Sequence, residues 1–87
     1  MRFHRTYFSR DARFSIGIEL DAGRCYVSLP VSNGLVDYEE YYEIDRETYA
    51  RFLSVPAEAS AFVAECRRHE RDDLLIVQPG RNRGTPV

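Results

Sequence analysis

The chain has 87 residues, 44 % of them hydrophobic and 30 % charged, with a formal net charge of −2. That is one domain near the lower limit for a single core, with little interior left for a deep catalytic cleft. No segment approaches the roughly 18 consecutive apolar residues of a membrane span, and the basic start Met1–Tyr7 has no apolar run behind it, so neither an anchor nor a secretory leader is expected.

Residues 1–12 read as a basic N-terminal segment without a clear period. From Phe14 the pattern is explicit: Phe14, Ile16, Ile18 and Leu20 alternate with Ser15, Gly17 and Glu19, as in a half-buried strand. Asp21-Ala22-Gly23-Arg24 supplies a turn, and Cys25, Val27, Leu29 and Val31 continue the alternation. Asn33-Gly34 then signals a hairpin leading into a third strand from Leu35 to about Ile44. Asp45 is placed to cap a helix whose first turn holds Glu47, with Tyr49, Phe52 and Leu53 on its apolar side. Ser54 and Pro56 open a second helix, striped by Ala59, Phe62, Val63 and Cys66. Leu74–Val77 reads as a short buried strand, and residues 79–87 as an irregular tail. The expected fold class is therefore α+β in the order β-β-β-α-α-β: a three-stranded antiparallel meander plus a C-terminal strand, with two helices packed on one face.

A two-residue Asn33-Gly34 loop pairs Val31 with Val36, Leu29 with Tyr38, Val27 with Glu40 and Cys25 with Tyr42 on the core side. Pro30, Ser28, Tyr26 and Arg24 then face solvent with Asp37, Glu39, Tyr41 and Glu43. Glu40 is the misfit, landing among apolar residues. Either a bulge near Glu39-Glu40 exchanges the faces of Tyr41 and Tyr42, or Glu40 sits at the sheet margin with a partner.

Charge is unevenly spread. Residues 1–13 carry four Arg against one Asp, residues 14–65 ten acids against three Arg, and residues 66–87 five Arg against three acids. Six of the eleven residues from Asp37 to Glu47 are acidic and three are Tyr. So many like charges on a short surface cost stability unless something uses them, and Tyr supplies rigid interface area. The expected partner-binding residues are Tyr26, Asp37, Glu39, Tyr41, Glu43 and Glu47, turned toward a basic partner.

Chemistry is poorly represented. Adjacent Glu39 and Glu40 point to opposite faces and cannot flank one bond. His69 belongs to a helix C-terminus, and Gln78–Gly84 lacks the Lys-Ser/Thr of a phosphate loop. Cys25 and Cys66 read as buried free thiols of a reducing compartment, although a single disulfide is possible on count. Two Cys and two scattered His make no metal site, so neither a cofactor nor an enzymatic activity is expected. The Arg-bearing ends offer an alternative, a small nucleic-acid-associated or regulatory domain, against which the acidic middle argues. An oligomerisation module using the sheet is a third reading.

The stretch Tyr26–Ile44, with the closing Gln78-Pro79-Gly80-Arg81-Asn82-Arg83-Gly84-Thr85-Pro86, resembles small immunity proteins of bacterial contact-dependent growth inhibition systems. That resemblance implies a cytoplasmic protein with a cognate toxin domain as partner, often a nuclease. It carries no catalytic residues to transfer.

Overall fold

The alternating segments form a curled antiparallel sheet, and the N-terminal segment adds a strand to it. A computed structural model describes residues 1–87. It contains β1 (Phe3–Ser9), β2 (Phe14–Glu19), β3 (Arg24–Ser32), β4 (Asp37–Ile44), α1 (Arg46–Ser54), α2 (Ser60–Arg67) and β5 (Thr85–Pro86), with 3₁₀ turns at Pro56–Ala59 and Asp72–Leu74. The sheet order is β1-β2-β3-β4, and β5 pairs with the end of β3 through Val31–Pro86 and Ser32–Thr85. The α+β class and the antiparallel meander stand as expected.

The basic N-terminal segment is thus an edge strand. Its alternation is hidden by a register shift between Arg5 and Tyr7, which leaves Thr6 outside the pairing. The fourth sheet segment is also not where the apolar run Leu74–Val77 suggests. Only Leu75 bridges β4, opposite Tyr42, and the Ile76 N–H donates to the Tyr41 carbonyl. The last strand comes instead from the tail.

The β3–β4 hairpin keeps the expected faces but not the expected pairing. Its loop has four residues, Asn33–Val36, so that Val31 pairs with Tyr38, Leu29 with Glu40 and Val27 with Tyr42. Asn33 builds this loop: its Oδ1 accepts from the N–H groups of Leu35 and Val36, both at 2.9 Å, and Gly34 takes φ +89°. The slip of two residues preserves the side-chain period, so every side chain stays on its face.

Helices cover the inner face. Ile16, Val27, Leu29, Tyr42 and Ile44 from the sheet pack with Phe52, Ala59, Val63 and Cys66, all under 9 % exposed. Burying each large apolar side chain is worth about 1.5–3 kcal/mol. Asp45 caps α1, its Oδ1 accepting from the Thr48 N–H at 2.7 Å. Ser54 does not cap the second helix: it ends α1, and Val55 precedes the Pro56 turn without a side-chain cap. At the end of α2 the N–H of His69 bonds Cys66 O and that of Glu70 bonds Glu65 O, with His69 at φ 61°. This is a Schellman closure, in which His69 serves through its backbone and not its ring. Cys25 and Cys66 are free and buried, and desolvation pushes the Cys66 thiol up to about 12.

Glu40 is resolved by a partner, not a bulge. It is 5 % exposed and receives Arg83 from the tail, with Nε–Oε2 at 2.8 Å and Nη2–Oε1 at 3.1 Å. The same guanidinium grips Asp72 at 2.7 and 2.9 Å, and the Tyr42 hydroxyl donates to Glu40 at 3.1 Å. The Gly84 N–H donates to the Tyr38 hydroxyl at 2.6 Å. The tail is therefore tied into the fold by charge-assisted, two-pronged bonds.

Candidate binding surface

The sheet holds five of the six residues expected to meet a partner, but the curl divides them. Tyr26 is 2 % exposed. Its ring lies over Gly17 on β2 and is roofed by two others, with centroids 5.5 Å from Phe3 and 5.0 Å from Tyr41, both edge-on. Phe3 and Tyr41 in turn lie stacked, centroids 3.6 Å apart. The expectation of Tyr26 as an exposed anchor is corrected: the period placed it on the outer face, and the aromatic roof from β1 covers it there. Desolvation raises its hydroxyl to about 12, with the neighbouring Tyr41 adding and Arg5 opposing. Tyr41 is half-buried and also shifted upward by desolvation.

Glu39 is half-buried and accepts the Ser28 hydroxyl at 2.9 Å. Asp37 at the start of β4 and Glu43 near its end are exposed. Glu47 is exposed too, but it belongs to the first turn of α1 in the helix layer. The six residues do not form one flat patch. Tyr26, Glu39 and Tyr41 line a hollow of about 300 Å³, while Asp37 and Glu43 lie toward the two ends of β4 and Glu47 on the adjoining helix start. None of those three acids enters any ion pair.

Sequence reasoning missed four residues of the hollow: Phe3, Arg5, Ser15 and Ser28. Ser15 and Ser28 were legible as outer-face residues, and they pair directly across β2 and β3. Phe3 and Arg5 required recognition of β1, whose Arg-rich sequence conceals it.

Several of the arginines are engaged within the protein. Arg2 binds Asp21 at 2.9 Å, Arg51 meets Glu58 at 3.3 Å, and Arg68 and Arg71 pair with Glu70 and Glu65, each at 2.7 Å. Arg67 spends its guanidinium on the carbonyls of Ala12 (2.5 Å) and Arg13 (3.1 Å), pinning α2 to the β1–β2 turn. Arg5 rests over the Phe8 ring at 5.0 Å. Neither histidine ring is hydrogen-bonded to another side chain, and no three His, Cys, Asp or Glu side chains gather as metal ligands would. No helix is long and apolar enough to cross a membrane. No family model, curated protein or solved structure matches the chain.

Proposed function

We propose that this protein is an inhibitor of the immunity type, which binds a basic toxin domain in the cytoplasm and neutralises it. The observation that carries the reading is that Asp37, Glu43 and Glu47 are exposed and enter no ion pair, which leaves their charge available to a basic partner. Exposed acids left without counter-charges repel one another, and a basic partner relieves that repulsion while drawing the two molecules together. The three acids steer the encounter. Tyr41, half-exposed at the edge of the aromatic roof, is the apolar contact beside them.

The test is to search for a toxin domain encoded beside this chain and to compare its association rate with the wild type and with Asp37→Lys/Glu43→Lys at two ionic strengths. Both positions are exposed, so the fold is expected to survive the exchange. Association should slow, and its salt dependence flatten, in the variant. An unchanged rate with unchanged salt dependence would remove the acidic surface from the interface.

A further inference from the structure

We propose that the hollow on the outer face is a built site for a small zwitterion of amino-acid size, a function independent of the acidic surface. Its floor is polar and deeply set. Ser15 is 3 % exposed, Tyr26 2 % and Ser28 1 %. Ser28 spends its hydroxyl on Glu39, but the hydroxyls of Ser15 and Tyr26 have no hydrogen-bond partner within the protein. Neither oxygen is sealed from solvent, and both belong to residues that line the hollow.

The walls carry opposite charges. Arg5 comes from β1 and Glu39 from β4, the first and last strands of the four-stranded path, and they form no ion pair with each other. The Arg5 guanidinium is committed only to the face of Phe8, which leaves its N–H groups free. Glu39 has given one carboxylate oxygen to Ser28 and keeps the other. A ligand that satisfies this set brings an anion to Arg5 and the two free hydroxyls, and a cation to Glu39 beside the Tyr41 ring. A volume of about 300 Å³ is at the small end of ligand sites, which suits one amino acid and not a peptide or nucleotide.

The test is a nitrogen–proton NMR titration of the intact protein with the free L-amino acids, then with the N-acetyl and α-amide derivatives of whichever binds. Saturable shifts should appear at Ser15, Ser28 and Glu39. Blocking either charge on the ligand, or introducing Arg5→Gln or Glu39→Gln, should weaken binding by at least about tenfold, the scale of one lost charge-assisted hydrogen bond. The derivative arm needs no variant, so it stands even where a substitution perturbs the fold. Absence of saturable shifts with every amino acid, equal affinity for the blocked derivatives, or shifts confined to residues outside the hollow would each overturn the proposal.

Discussion

Phe3 of β1 lies flat on Tyr41 of β4, their ring centroids 3.6 Å apart, although two strands stand between them in the sheet. Neighbouring strands are about 4.8 Å apart, so in a flat sheet these residues would be out of reach. The curl that lets them meet is what buries Tyr26. Phe3→Ala should therefore cost about 1–2 kcal/mol, a half-buried ring plus its aromatic pairing, read by urea unfolding. It should also lower the Tyr26 hydroxyl from about 12 toward the ordinary tyrosine value of 10.0, read by tyrosinate absorbance. Because the folded-state value is raised, the stabilisation from a protonated Tyr26 is intact below pH 10.0 and lost as pH rises toward about 12. The variant should lose less stability across that window than the wild type.

Gly17 is required by the same arrangement. A Cβ there would meet the carbonyl oxygen of His4 and lie 2.5 Å from the Tyr26 hydroxyl. Gly17→Ala should cost more than about 2 kcal/mol, since the obstruction is in part backbone. Adding Tyr26→Phe to it should restore little, because the contact with His4 remains. Thermal unfolding of the two variants side by side checks this.

Arg83 joins the tail to a carboxylate that is 5 % exposed. Arg83→Ala should cost about 3–5 kcal/mol, mostly the penalty of leaving Glu40 buried and unpaired. Arg83→Met/Glu40→Leu should be much closer to the wild type in urea midpoint, since an apolar pair of similar volume avoids that penalty. The hydrogen bond from Arg83 holds the Asp72 carboxyl below its ordinary 3.8. A depressed value means stability that is present above pH 3.8 and lost as pH falls through the folded-state value, so acid unfolding should begin at higher pH in the wild type relative to its neutral stability than in the double variant.

His69 occupies the left-handed region at φ 61°, the place of glycine in a Schellman closure. Its ring makes no hydrogen bond that its removal would forfeit. His69→Gly should raise stability by about 1 kcal/mol, the usual cost of a side chain in that conformation. Chemical denaturation resolves a change of that size.

Much of this architecture was legible because period-two alternation survives errors of pairing. The four-residue loop moved the β3–β4 register by two positions, and each side chain kept its face. Asp45 was identifiable as a cap from the residues alone, and the misfit of Glu40 was legible as either a bulge or a partner, of which the structure has the partner. What escaped depends on distant contacts. β1 mixes Arg with aromatics and skips a residue at Thr6, so no single period describes it. Arg83 looks like any tail arginine until the chain brings it to Glu40, 43 residues earlier. Tyr26 was read onto the outer face, which is right. That the outer face has its own aromatic roof depends on Phe3, and so on the strand that was not seen.

The irregularity at Thr6 has a consequence for the molecule in a crowd. β1 is an edge strand, whose outer side offers unpaired backbone groups to any other extended chain. The skipped residue interrupts that row between Arg5 and Tyr7, and Arg5 sets a positive charge along it. A second copy laid against this edge would find only a short stretch in register before the bonds fell out of step. The break that hides β1 from a reading of the sequence also protects the folded protein from edge-to-edge aggregation.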